Sequence, residues 1–170
     1  MVGARHLDQG HEATERDAKR ARYDALEGEI LAVVAGEANR IARMASVVCL
    51  LHQGFDRFFW TGFYLVDPEK PDELVIGPYQ GTLGCLRIPF GKGVCGTAAA
   101  AGETQVVSDV HAFPGHIACD SRSNSEIVVP VFDKAGALIA ILDIDSTQFA
   151  AFDAIDREAL EALMAKVFAA

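Results

Sequence analysis

Ser125-Glu126-Ile127-Val128-Val129-Pro130-Val131-Phe132-Asp133-Lys134-Ala135-Gly136-Ala137-Leu138-Ile139-Ala140-Ile141-Leu142-Asp143-Ile144-Asp145-Ser146 sets two apolar, β-branched runs around one polar break. Ile127 to Phe132 and Ala137 to Ile144 read as strands, and Asp133-Lys134-Ala135-Gly136 reads as the turn that folds them into a hairpin.

Upstream, Phe58 to Val66 is aromatic and β-branched and ends at Asp67-Pro68, which predicts a further strand. Short strands follow at about Glu73–Ile76, Leu86–Ile88 and Gln105–Val107. Val94 to Ala101 is Ala-rich and reads as a short helix closed by Gly102. Before all of these, Tyr23, Leu26, Ile30, Val33 and Val34 repeat at helical spacing, as do Ile41, Met44, Val48 and Leu51. The two helices meet near Gly36, and Cys49 reads as a core residue of the second. A closing helix carries Ile155, Leu160, Leu163 and Val167 on its apolar side, with Asp153 as N-cap. Helices, then a run of strands, then a helix predict an α+β fold with helices packed on an antiparallel sheet. Residues 1–22, with charges of both signs and little apolar period, read as a polar N-terminal extension, either a soluble tail or a helical lead-in. Residues 23–170 read as a single domain.

The bulk numbers narrow the partners. The chain has 170 residues, is 51% hydrophobic and carries a formal charge of -9. Such acidity argues against nucleic acid or an anionic membrane surface as a partner. Its longest apolar runs, such as Ala137 to Leu142, fall far short of the ~18 residues a membrane helix needs. Met1 to Arg22 has no apolar signal-peptide core, so a cytoplasmic location is expected. In a reducing compartment, clustered cysteines point to catalysis or metal binding rather than structural staples.

Three constellations carry chemistry. Cys85, Cys95 and Cys119 fall in one central, turn-rich window, and Cys119 lies in Gly115-His116-Ile117-Ala118-Cys119-Asp120-Ser121, within an aperiodic loop of about 18 residues from Ser108 to Ser125. His116 or Arg122 is placed to stabilise a Cys119 thiolate. His111, His116, Cys119 and Cys95 match no familiar zinc spacing, and no metal or cofactor is expected. Next, Trp60, Gly62 and Tyr64 share a strand face, with Gly62 leaving a gap that makes a slot with aromatic walls, suited to an apolar or sulfur-bearing chain. Last, Asp143 and Asp145 share a face at the end of an apolar strand, within reach of Glu126 across the hairpin. Such a cluster suits an ammonium group and raises the pKa of at least one carboxyl, making it a proton donor near neutrality.

Gly77-Pro78-Tyr79-Gln80-Gly81, Arg87-Ile88-Pro89-Phe90-Gly91-Lys92-Gly93-Val94-Cys95-Gly96-Thr97-Ala98, Asp109-Val110-His111-Ala112-Phe113-Pro114-Gly115-His116-Ile117-Ala118-Cys119-Asp120, Ser125-Glu126-Ile127-Val128-Val129-Pro130 and Leu142-Asp143-Ile144-Asp145-Ser146 together closely resemble the free methionine-(R)-sulfoxide reductases. These are enzymes of the GAF fold, and the resemblance spans about residues 22 to 165. It implies a central six-stranded antiparallel sheet with helices packed against it, and a homodimer. It implies reduction of free L-methionine (R)-sulfoxide to methionine, with Cys119 as nucleophile, Cys85 as resolving thiol, Cys95 as a third cysteine able to join the relay, and thioredoxin as reductant. Trp60 and Tyr64 match the aromatic pocket of that family, and Glu126, Asp143 and Asp145 its acidic cluster. Two departures stand out: Phe59 where the family commonly has Asn, and Leu83-Gly84 where Pro-Ala is common before Cys85. The competing expectation is a small-molecule or redox sensor without turnover, a common use of GAF folds. An acidic pocket would repel the phosphate of a cyclic nucleotide.

Overall fold

The hairpin forms as its pattern requires. A computed structural model describes residues 4–117 and 119–169, with side chains from residue 13 onward. In it, strands β5 (Ser125–Phe132) and β6 (Leu138–Ser146) pair antiparallel from Ser125↔Ser146 to Phe132↔Leu138. The turn is held by Asp133, whose carboxylate accepts the Ala135 and Ala137 amides at 2.9 and 3.0 Å. Among the described residues the remaining strands are β1 (Trp60–Asp67), β2 (Lys70–Gln80), β3 (Arg87–Pro89) and β4 (Gln105–Val107). They complete one six-stranded sheet of order β3-β2-β1-β6-β5-β4, with every pairing antiparallel.

Period-two alternation sorts the sheet into two faces. Phe63, Ile127, Val129, Val131, Ala140, Leu142 and Ile144 point to one side. There they meet α1 (Ala4–Val33), α2 (Arg40–Gly54) and α4 (Ala154–Met164), which runs on into a π-helical turn at Ala165–Ala169. Trp60, Tyr64, Val128 and Ile141 point to the other, where α3 (Gly93–Ala101) brings Val94, Cys95, Ala98 and Ala99 against them. The α+β architecture and the antiparallel sheet are therefore as expected. Among the described residues, no helix is long and apolar enough to cross a membrane.

Several details differ from the periodic reading. Residues 4–22 form the first part of α1, continuous with the stripe that buries Tyr23, Leu26 and Ile30. Val33 and Ile41, expected in the apolar stripes, are exposed, and the buried line of α2 is Met44, Val47, Val48 and Leu51. Cys49 falls off that line and is only partly buried, not a core residue. The strand expected over Glu73–Ile76 runs from Lys70 to Gln80, straight through Gly77-Pro78. Tyr64 pairs with Ile76 but Gly62 with Tyr79, so the pair sits in a bulge opposite Phe63. Pro78 needs no ladder amide there, because β3 pairs only with Glu73 to Val75. A β-carbon on Gly77 would lie 2.1 Å from Leu65 Cδ1, so a larger residue there would have to displace the end of that leucine.

One buried carboxylate ties the helical layer together. Asp156 is fully buried in the first turn of α4. It accepts from the Tyr23 hydroxyl at 2.7 Å and from Arg57 Nη2 at 2.6 Å, and it pairs with Lys19. It also accepts the Asp153 amide at 2.8 Å, completing a capping box with Asp153, the expected N-cap. The N-terminal helix, the segment before β1 and α4 thus share one anion. Asp156→Ala leaves the buried Tyr23 hydroxyl and Arg57 Nη2 without their acceptor and Lys19 with Asp153 alone, and should lower the free energy of unfolding by about 3 kcal/mol or more, read as a reduced urea midpoint at unchanged slope.

Candidate active site

The face away from α1, α2 and α4 carries the polar residues, and strand register places them. Trp60, Asp145 and Glu126 lie in one row across β1, β6 and β5, because Trp60 pairs with Asp145 and Asp145 with Glu126. Gly62, Asp143 and Val128 form the adjacent row. A pocket opens over these rows. Trp60, Tyr64, Cys95, Cys119, Glu126, Asp143 and Asp145 all line it, so residues far apart in the chain converge on one cavity.

Cys85 joins them covalently. Its sulfur is in a disulfide with Cys119, across 34 positions of sequence and with Cα atoms 5.4 Å apart. Cys119 is exposed at the pocket mouth, whereas Cys95 is a free, buried thiol on the floor. Cys95 Sγ donates to Glu126 Oε1 at 3.5 Å. The expected thiolate partners of Cys119 are arranged differently. Arg122 turns its guanidinium onto Asp120. His116 lines the pocket as a neutral imidazole, its pKa lowered by burial and then by His111. His111 bonds Asn124 at 2.9 Å. The four-residue set of His111, His116, Cys119 and Cys95 is therefore split between a disulfide, a loop contact and the pocket floor.

The aromatic slot takes a different form from the one expected. The space above Gly62 is filled by the indole itself: a β-carbon there would lie 2.4 Å from Trp60 Cη2. Trp60 stacks on Tyr64 with centroids 5.7 Å apart, and on Tyr79 at 5.4 Å. Trp60 and Tyr64 therefore form one continuous wall instead of two walls around a gap. Tyr79 backs that wall, and the bulge at Gly77-Pro78 sets which way it faces, so the periodic reading missed it. Lys92 at the start of α3 and the exposed Leu83 and Ile117 also line the pocket. A lone lysine and two loop hydrophobes carry no sequence period that would have found them.

Burial dominates the electrostatics. Glu126 and Asp143 are pushed well above the ordinary carboxylate range, first by desolvation and then by neighbouring acids. Burial raises Asp145 to about 7, the charge of Asp120 adds to this, and a hydrogen bond from Ser123 opposes it. The cluster thus retains protons at neutral pH. Cys95 is raised by burial and then by Asp143 and Glu126, which keeps it a thiol. One oxygen of Asp143 is buried with no hydrogen-bond partner, so the cluster can still receive a donor. Donor atoms of Cys95, Glu126 and Asp143 come within 4.8 Å of one another, but their protons would have to leave before they held a metal ion.

The GAF domain family model matches residues 27–170. The free methionine-R-sulfoxide reductase of Escherichia coli K12 is 46% identical over 145 residues, covering 85% of this chain and 86% of that protein. GAF domain-containing protein A of Dictyostelium discoideum is 46% identical over 149 residues, covering 88% and 92%. Among solved structures, the free methionine-R-sulfoxide reductase of Neisseria meningitidis in complex with its substrate superposes with a TM-score of 0.84 at 49% identity, over 89% of this chain and 88% of that one.

The raised carboxyl has a signed consequence for stability. Asp145 holds its proton in the folded protein up to about pH 7 but loses it near 3.8 when unfolded. Its contribution is therefore fully present below about pH 4 and is lost as pH rises to about 7. Asp145→Asn cannot ionise. Its stability relative to the parent should rise between pH 4 and 7 and level off above, as measured by urea unfolding at each pH.

Proposed function

The chain belongs to the GAF-domain family and, within it, to the free methionine-R-sulfoxide reductases, and we propose that it reduces free L-methionine (R)-sulfoxide to methionine. The observation that carries this reading is a single pocket with the Cys85–Cys119 disulfide at its mouth, an aromatic wall, and proton-retaining carboxyls on its floor. In this reading residues 23–170 are the GAF domain, and residues 1–22 are a polar extension of it.

In the reduced enzyme, the Cys119 thiolate attacks the sulfoxide sulfur. A carboxyl of the Glu126, Asp143 and Asp145 cluster gives a proton to the sulfoxide oxygen, which would otherwise be a poor leaving group. The bond between oxygen and the substrate sulfur breaks, the protonated oxygen passes to the Cys119 sulfur, and methionine departs with Cys119 left as a sulfenic acid. Cys85 attacks that sulfur, water leaves, and the disulfide forms. A thioredoxin dithiol then reopens it by exchange and becomes oxidised. The disulfide partnership supports Cys85 as the resolving thiol. Burial and the Glu126 contact argue against a role for Cys95 in the exchange.

The same groups account for specificity. Trp60 and Tyr64 take the methyl-sulfur end. The acids take the ammonium, which only a free amino acid has. Lys92, at the N-terminus of α3 with no side-chain cap, is placed for the substrate carboxylate. Blocking the ammonium removes a charge pair worth a few kcal/mol, so peptide-bound methionine sulfoxide is a poor substrate. A cytoplasmic, homodimeric enzyme using thioredoxin completes the proposal. The sensor reading is not favoured, because the pocket carries a Cys85–Cys119 disulfide at its mouth that ligand sensing alone would not need.

Turnover of free methionine-(R)-sulfoxide with a dithiol reductant tests the proposal. Cys119→Ser should lower it by about three orders of magnitude or more. Cys85→Ala should still release one equivalent of methionine yet lose thioredoxin-dependent cycling. Full cycling in that variant would move the resolving role to Cys95, and N-acetylation of the substrate should cost about 100-fold in kcat/KM.

A further inference from the structure

The two cysteine loops are joined by more than their sulfurs. Thr82, shortly before Cys85, donates its hydroxyl to Asp120 Oδ2 at 2.8 Å, and Asp120 directly follows Cys119. Both ends of this bond are anchored. The Thr82 carbonyl accepts from Trp60 Nε1 at 2.9 Å, which fastens the Cys85 loop to the start of β1. Asp120 accepts from Arg122 Nε at 3.0 Å and Nη2 at 2.8 Å, and the Arg122 guanidinium carbon lies 4.7 Å from the centre of the Phe59 ring. The contacts therefore close a ring, running from Trp60 through Thr82, Asp120 and Arg122 to Phe59, the residue next to Trp60. Arg122 and Thr82 together hold Asp120 as a carboxylate, well below its ordinary pKa. Phe59 stands where the resembling family commonly has Asn, so the stacking that completes the ring is a feature of this chain.

We propose that Thr82 is a positioning residue: its bond to Asp120 holds the Cys85 loop against the Cys119 loop while the two sulfurs are apart, and so sets how fast and how far they join. When the disulfide is open, no covalent cross-link joins the two cysteines, which lie 34 positions apart in the sequence. Holding the two cysteine-bearing loops side by side costs each its conformational freedom, and a tether beside the sulfurs supplies that closeness in advance. Within the reductase cycle, the step it governs is attack of the Cys85 sulfur on the Cys119 sulfenic acid. A sulfur–sulfur bond forms, the sulfur–oxygen bond breaks, and hydroxide leaves with the Cys85 proton as water. The earlier step, oxygen transfer from substrate to Cys119, does not involve the Cys85 loop. That kinetic half rests on the reductase reading. The equilibrium half does not, because tether and disulfide strengthen each other by reciprocal linkage whatever the substrate.

Thr82→Val keeps the shape and removes the donor, while Thr82→Ser keeps the donor. A hydrogen bond to a carboxylate in a partly buried setting corresponds to a change of about tenfold. Equilibrated in glutathione redox buffers, Thr82→Val should lower the effective concentration of Cys85 at Cys119 by about that factor, with Thr82→Ser within about twofold of the parent. In single turnovers with free methionine-(R)-sulfoxide, Thr82→Val should release the first methionine at the parental rate. Its disulfide should close about tenfold more slowly, with a Cys119 sulfenic acid trapped by dimedone. A parental glutathione equilibrium in Thr82→Val overturns the proposal, as does equal impairment of the Val and Ser variants. If the parent itself released no methionine, the reductase reading would fall, and the glutathione equilibrium would still decide the tether.

Discussion

The pairing register of β5 on β6 and of β6 on β1 is the constraint on which the rest depends. Side chains alternate along a strand, so one face of each receives every second residue. In the observed register, Ile127, Leu142 and Ile144 enter the layer under α1, α2 and α4, while Glu126, Asp143 and Asp145 enter the pocket. A slip of one residue would exchange these sets. It would bury three carboxyls in hydrocarbon and expose the largest branched side chains of the sheet. Since an unpaired buried charge costs several kcal/mol, the apolar face and the acidic face enforce each other's position. The chemistry of the pocket is thus a by-product of the register that builds the core.

That register also explains why the pocket can hold protons and thiols together. Three acids on adjacent rows, packed against α3 and walled by Trp60, are desolvated before they are charged, and burial is the leading cause of every upward shift among them. The same field raises the Cys95 thiol at the floor. A nucleophile needs the opposite treatment, and Cys119 sits on an exposed loop at the mouth. In the proposed reaction, acid and nucleophile are separated by depth: the donor is dry and protonated, the sulfur wet and accessible. Two neighbouring functions with conflicting electrostatic needs are accommodated by a gradient of solvation across one cavity.

Local signals in the chain were reliable wherever the physics was local. The turn at Asp133 to Gly136, the N-cap at Asp153 and the alternation that put Trp60 with Tyr64 and Asp143 with Asp145 all depend on neighbours within a few residues, and all were legible. Reading failed where a distant partner overrode the local pattern. The strand expected to end near Ile76 instead runs on through Gly77-Pro78 as a bulge inside β2, because pairing with β1 resumes at Tyr79 opposite Gly62. Gly62 reads as a gap between rings, yet the Trp60 indole fills it. Ile41 and Val33 keep helical spacing but lie beyond the reach of the sheet and remain exposed.

By itself, the sequence determined the fold class, the hairpin at its centre, and which side chains share a strand face, because each follows from periodicity and turn chemistry along a short stretch. The motifs it shares with a known family extended that to an expected thiol chemistry. Tertiary structure brought Cys85 and Cys119 into a bond, and it alone decided that Cys95 is buried beside Glu126, that Tyr79 backs the indole, and that Thr82 reaches Asp120. These are contacts between segments tens of residues apart, brought together by sheet order and by the burial that drives it. No local pattern encodes a distance across the fold, and only the packed sheet, with its two faces and its covering helices, sets one.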